Sequence, residues 1–287
     1  DNLMRTTFIA VLISVAAAPA AAQLPVPAGL QPGDTYQLVF NSSTFRNGLS
    51  SNINAYNNHV QAAADAAGIG DTLGITWKAI LSTGAVDARN NAVVGMNTPV
   101  YNMNAAGPEK IADGFSDMWD GTLDWFPVYD ENGQENTVDA WTGSTTAGLR
   151  ATGSTLGHVS GTAWCGRPGF RDNRWVQFFE PSTSIFLSVY ALSEIITVTD
   201  ADFDQNDLVS GDDFLRWQRG VGANGTLATG DANGDQAVDG DDLEIWEAAY
   251  GQGAPAAAVA PSGTEPSGGL VWSVGGGSTS RRTAYHA

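Results

Sequence analysis

The stretch DFDQNDLVSGDD (Asp202–Asp213) returns 29 residues later as DANGDQAVDGDD (Asp231–Asp242). In the first copy, oxygen-bearing side chains fall at positions 1, 3, 5, 9 and 12: Asp202, Asp204, Asn206, Ser210 and Asp213. The second copy places Asp231, Asn233, Asp235, Asp239 and Asp242 at the same positions, and position 7 offers a main-chain carbonyl, that of Leu208 or Ala237. Alternate residues of a tight turn point inward, and calcium is a hard cation that takes roughly six to eight oxygens, so the spacing points to two calcium loops. Downstream the offset persists: Phe214 aligns with Leu243, Trp217 with Trp246 and Gly222 with Gly251. Two loops in one register, each followed by an apolar-periodic helix, make an internal repeat rather than a chance solvated turn. Asp202, Asp204 and Asp213 are the charged ligands of the first loop, and Asp231, Asp235, Asp239 and Asp242 those of the second. Charge alone therefore predicts the tighter site in the second loop, unless strain at Gln236 cancels the extra carboxylate.

Outside this repeat the charge falls away. From Asp200 to Glu247 thirteen acids face only Arg216 and Arg219, which places -11 of the net -18 in one short module. With 31 acids against 13 bases, the 287-residue chain has no source for the Lys/Arg footprint that nucleic acid requires. The 9 Trp, 11 Phe and 7 Tyr are enough to build a real core, which excludes wholesale disorder. Cys165 is the single cysteine, so neither an intrachain disulfide nor a cysteine-ligated cluster can form.

At the N-terminus Arg5 precedes an apolar run from Phe8 to Ala18, then Pro19 and the small residues Ala20 to Ala22. This order reads as a secretory signal over residues 1–22, with a mature chain beginning near Gln23 and living outside the cytoplasm, secreted or at the cell surface. The run is too short for a spanning helix, so no transmembrane anchor is expected after cleavage. Residues 252–287 read as a flexible Pro/Gly/Ala/Ser-rich tail.

The segment 34–198 reads as a mixed α+β domain. Thr35 to Phe40 alternates like a strand, and a helix follows, capped by Ser50 or Ser51, with Ile53, Tyr56, Val60, Ala63 and Ala67 on one face and Gly68 as its stop. Further strand candidates are Gly74 to Leu81, Pro99 to Met103, Arg174 to Phe179 and Ile185 to Leu192. The Gly/Asp/Thr-rich stretch from Asp113 to Arg171 is too long for a plain connection and is expected to carry irregular functional loops.

Strand, long helix, WKAILSTGAVDAR (Trp77–Arg89), PVYNM (Pro99–Met103), WDG (Trp119–Gly121), WTGS (Trp141–Ser144), a Trp/Cys segment and SIFLSVYALSE (Ser184–Glu194) follow in an order that resembles the C-type-lectin-like fold. The endostatin-like branch and related secreted bacterial domains are closest. The paired cysteines common in that fold are missing, and there is no Glu-Pro-Asn or Gln-Pro-Asp loop, so the resemblance implies a binding platform without the family's calcium-dependent sugar site. Asp113, Asp117, Asp120 and Asp124 surround Trp119 and Trp125, and within this group Trp119, Asp120 and Trp125 are candidate ligand-binding residues, against the alternative of solvated acids and core tryptophans. Glu131, Glu135, Asp139 and Glu180 include the carboxylates available for a glycosidase pair. His59 and His158 belong to no H-E-x-x-H motif, no G-x-S-x-G is present, and Cys165 reads as a buried small residue.

The paired loop-helix units, each lacking a preceding helix, resemble a type I dockerin over residues 200–251. The resemblance implies two calcium ions, a cohesin-like or other surface partner, and partner contacts at positions 10 and 11, here Gly211-Asp212 and Gly240-Asp241, identical in the two halves. Duplicate contacts imply two related docking orientations. Position 6, ordinarily Gly, is Asp207 in one loop and Gln236 in the other, which predicts strained turns. Thr264-Glu265-Pro266, Leu270-Val271-Trp272 and Arg281-Arg282 have a distant likeness to a sorting tail without its apolar helix. The expectation is a C-type-lectin-like mixed domain followed by a small all-α dockerin-like module: an exported, non-catalytic protein that binds a ligand or polysaccharide glycan and is tethered to an extracellular assembly or surface through calcium. A dockerin-bearing glycoside hydrolase and a structural surface component are the alternatives.

Overall fold

The computed structural model describes residues 24–251, so the signal-like segment and the C-terminal tail lie outside the described residues. Among the described residues the fold is mixed α+β, with a curled mixed sheet and five α-helices. In chain order the elements are β1 (Thr35–Asn41), β2 (Arg46–Asn47), α1 (Ile53–Ala66), β3 (Trp77–Ala79), α2 (Ala88–Asn91), β4 (Val100–Asn102), β5 (Lys110–Ala112) and α3 (Phe115–Met118). Then follow β6 (Ala140–Trp141), β7 (Cys165–Gly166), β8 (Phe186–Ser193), β9 (Ile196–Thr197), α4 (Gly211–Gly220) and α5 (Gly240–Ala249).

The sheet runs β5-β4-β1-β8-β6-β7, with β2 and β3 also on β8 and β9 on β1. Its centre pairs β1 with β8 antiparallel, Val39 opposite Leu192, while β4 joins β1 in parallel, Val100 opposite Gln37. Both central strands are buried on both faces, so their alternation sorts side chains between two cores. Leu38, Phe40, Val189 and Ala191 join Tyr56, Val60 and Ala63 of α1 with Trp77 and Trp141. Val39, Tyr190 and Leu192 face the other way, into Ile80, Ile111, Trp119 and Trp175. Each large apolar side chain so withdrawn from water contributes about 2 kcal/mol, which is how a domain this poor in regular structure holds its loops.

Two local expectations are corrected. The N-cap of α1 is Asn52, whose side chain accepts from the Asn54 N–H, rather than Ser50 or Ser51. Ser50 sits two residues earlier, its hydroxyl accepting from the Asn52 N–H and its carbonyl accepting from the Tyr56 hydroxyl. The segment Arg174 to Phe179 is not a strand: Asn173–Trp175 is a 3-10 turn capped by Asp172. The 3-10 turn takes Trp175 and Val176 into the core, and only Phe179 makes a bridge, to Cys165 of β7. The stretch from Asp113 to Arg171 is irregular apart from α3, β6 and β7.

The chain leaves the sheet beside the point where it entered. Thr35 pairs with Thr197, and Val198 exchanges main-chain bonds with Gly33 and Asp34 at 3.0 and 2.8 Å. The acidic repeat follows directly and is held to both ends of this crossing: the Asp200 N–H of the leaving segment donates to the Ala232 carbonyl at 2.9 Å, and Gly234 packs main chain to main chain on Pro32 and Gly33 of the entering one. A Cβ on Gly234 would meet the Pro32 carbonyl oxygen at 2.2 Å.

Candidate metal centre

The two copies of the repeat are cross-bonded. The Trp217 indole N–H of α4 donates to the carbonyl of Asp239 at 2.7 Å, and the Trp246 indole N–H of α5 donates to the carbonyl of Ser210 at 2.9 Å. Asp239 and Ser210 are the ninth residues of their loops, so each helix holds the other half's loop at the matching place. Gly222 and Gly251 repeat the exchange, their N–H groups reaching the Val238 and Val209 carbonyls at 2.9 Å each. Phe203, Val209, Ala201 and Ala232 form the small core beneath, with Trp217, Ile245 and Trp246 against it.

Each loop is organised by its first and twelfth carboxylates. Asp202 accepts from Asn206 and Asp207, at 3.1 and 2.7 Å, and Asp231 accepts from Gly234 and Gln236, at 2.8 and 3.0 Å. Asp213 and Asp242, both fully buried, close the loops by accepting from the ninth residue, Ser210 at 2.8 Å and Asp239 at 2.9 Å. These same contacts complete a capping box on α4 and α5, which explains why a helix starts immediately after each loop. Leu208 is exposed and Ala237 partly buried, the latter bridged to Asn224. At the sixth position Asp207 and Gln236 adopt left-handed backbone, φ 66 and 72 degrees, a conformation that costs a side-chain-bearing residue about 1 kcal/mol or more.

The loops differ in what their side chains leave unused. In the first, carboxylate oxygens of Asp202, Asp204 and Asp213 lie within 4.8 Å of one another. Asp204 Oδ1 is buried and finds no hydrogen-bond donor. Desolvation, then the Asp213 and Asp202 carboxylates, push the Asp204 carboxyl above its ordinary range, with Arg216 opposing. Carboxylates facing one another this closely need a proton or a cation between them, and this orphaned oxygen among them fits a hard cation. In the second loop Asn233 holds the third position and donates to Asp235 at 3.2 Å, so those two side chains satisfy one another. Among the described residues its acids form no comparable trio. The residues present therefore fit a hard cation best in the first loop.

Gly211-Asp212 and Gly240-Asp241 form the exposed first turns of α4 and α5, where the Asp212 and Asp241 N–H groups are taken by Ser210 and Asp239. An acidic side chain there also favours the helix dipole.

In the mixed domain the other candidates part company. Trp119 is buried with its ring on Gly148 and 6.0 Å from Trp175, Asp120 is exposed and accepts from Thr122, and Trp125 is 40% exposed, edge-on to Phe126. Asp113, Asp117 and Asp124 do converge, but Lys110 already pairs with Asp113 and, at 3.9 Å, with Asp124. Three of the four acids weighed as a glycosidase pair have separate partners: Glu131 accepts from Ser43, Asp139 from Arg167 at 2.8 Å, and Glu180 from Ser154 at 2.9 Å, while Glu135 lies in a main-chain bridge to Tyr129. Burial pushes the Cys165 thiol up to about 12, with Asp139 adding to it, which leaves almost no thiolate at neutral pH. The crossed tryptophan bonds went unread in the sequence, although the offset that aligns Trp217 with Trp246 was their signal. No helix among the described residues is long and apolar enough to cross a membrane. No family model matches the chain, and no curated protein matches it.

Proposed function

We propose that the chain is an exported binding protein whose mixed domain carries a lectin-like ligand or glycan site and whose acidic repeat is a dockerin-like, calcium-dependent tether to a cohesin-like or other surface partner. One observation carries the reading: the buried, donorless Asp204 oxygen beside Asp202 and Asp213. When bound, calcium would supply the positive charge that lets these carboxylates share one site. Asp202, Asp204, Asn206, Ser210, Asp213 and the Leu208 carbonyl would hold it in the first loop, and Asp231, Asn233, Asp235, Asp239, Asp242 and the Ala237 carbonyl in the second. Asp202 and Asp231 fix the turns, Asp213 and Asp242 fix the helix starts, and the crossed tryptophans transmit the order of each loop to the opposite helix.

The exposed Gly211-Asp212 and Gly240-Asp241 turns support two related docking orientations. Titrating the full chain with calcium, read by calorimetry and Trp fluorescence, tests the tether: saturable uptake of two ions, reversed by chelator, is expected. A chain that takes up no calcium, with unchanged helix content in excess chelator, overturns the reading.

A further inference from the structure

Six carboxylates are buried among the described residues. Asp202, Asp213, Asp231 and Asp242 belong to the acidic loops, and Asp130 closes its own turn by accepting from Asn132 and Gln134 at 2.9 and 3.0 Å. Glu131, only 5% exposed, is different. It reaches across the sequence to Ser43, accepting the Ser43 N–H at 2.9 Å and the Ser43 hydroxyl. No described lysine, arginine or histidine forms an ion pair with it. A carboxylate withdrawn from water without a counter-ion is costly, and two hydrogen bonds from one serine offset that only in part.

Glu131 also lines a cavity of about 300 Å³. Ser43, Thr44, His59 and Asn132 supply its other polar groups, and Ala62 and Ala66 on the exposed side of α1 form part of its apolar wall. His59 does not serve as a standing counter-ion. Its ring nitrogen is engaged by Thr44 at 3.3 Å, and burial, with Arg46 adding to it and Thr44 and the Glu131 carboxylate opposing, holds its pKa below the ordinary value, so the ring is mainly neutral at neutral pH. The Arg46 guanidinium lies over the Tyr56 ring at 4.7 Å and is not part of the cavity lining. The cavity is thus anionic, hydroxyl-lined, bounded on one side by small apolar residues, and at the low end of ligand-site volumes.

We propose that this cavity binds a small hydroxylated primary amine, an amino sugar or an amino alcohol, with Glu131 as counter-ion to the ammonium group and Ser43, Thr44 and Asn132 meeting its hydroxyls. The site stands apart from the acidic loops and does not depend on their binding calcium.

The test is calorimetric titration of the full chain, at constant ionic strength, with glucosamine, ethanolamine, N-acetylglucosamine and glucose. Saturable one-to-one binding of an amine is expected, with the neutral sugars at least tenfold weaker. Glucosamine tighter than ethanolamine assigns the site to an amino sugar, and the reverse order to an amino alcohol. Glu131→Gln keeps the shape and the bond to Ser43 but loses the charge, and should weaken the amine at least tenfold. Ala62→Leu, at an exposed position, should do the same by filling the cavity, so a folding defect in the first variant does not decide the matter. Calcium uptake should be the same in both variants. Equal binding of glucosamine and N-acetylglucosamine, no saturable amine binding, or unchanged affinity in both variants overturns the proposal.

Discussion

The first and second acidic loops share a spacing, a capping box and a crossed tryptophan, yet they leave different atoms free. In the first, position 3 is Asp204, whose buried oxygen has no donor; in the second it is Asn233, which spends its amide on Asp235. Counting charges favours the second loop, whereas the convergence of carboxylate oxygens favours the first. The difference separates two quantities that a sequence count merges: the number of candidate ligands, and how many of them are already engaged with each other.

The most severe way to break this comparison is to remove the twelfth residue. Asp213→Ala takes away the acceptor for Asp204 and Ser210 and with it the returning half of the α4 capping box, and should cost on the order of 3 kcal/mol in calcium-loaded stability. Asp242→Ala removes the matching bonds from Asn233 and Asp239 in the second loop, and a further one from Ala232. Calcium calorimetry should show Asp213→Ala losing the tighter step and Asp242→Ala the weaker; the opposite assignment would restore charge count as the deciding term.

Exchanging the third residues sharpens it further. Asn233→Asp should tighten the second site about tenfold, equivalent to about 1.4 kcal/mol, and Asp204→Asn should weaken the first by a similar factor. Unequal site affinities that survive both exchanges would place the difference elsewhere in the loops.

Smaller effects probe what the halves have in common. Trp217→Phe and Trp246→Phe each leave a position-9 carbonyl without its indole donor, and each should cost about 1 kcal/mol in chemical denaturation. A clear inequality between them would show that the pseudo-symmetry is only geometric. The smallest change is expected at position 6, where Gln236→Gly and Asp207→Gly relieve left-handed backbone, φ 72 and 66 degrees, for a gain of about 0.5 kcal/mol after the entropy of glycine is counted. A loss of stability on either substitution would show that the side chain itself is used.

Where the physics is local, the sequence was readable. The alternation of Thr35 to Phe40 became β1, the apolar spacing of Tyr56, Val60 and Ala63 became the inner face of α1, and the repeat register became two loops with helices behind them. Position 6 was legible as strained because the turn alone sets its backbone. Distant partners were not legible. Glu131 finds Ser43 from the far side of the sequence, Trp119 is taken into the core by Gly148 and Trp175, and Arg174 to Phe179 looked like a strand although Asp172 turns it into a 3-10 cap. The N-cap at Asn52 was missed by one or two positions, because three polar residues in a row compete for the same role.

The contact of Gly234 with Pro32 and Gly33 limits how far the repeat can be treated as a duplication. The residue at the same place in the first loop is Gln205, which tolerates the left-handed turn, φ 56 degrees, and points into solvent. Transplanting the first loop onto the second would set that glutamine where even a methyl group collides with the Pro32 carbonyl. The two halves can therefore be aligned but not exchanged: at this fourth position the second loop is bound to its place by its neighbour, whereas the first faces solvent.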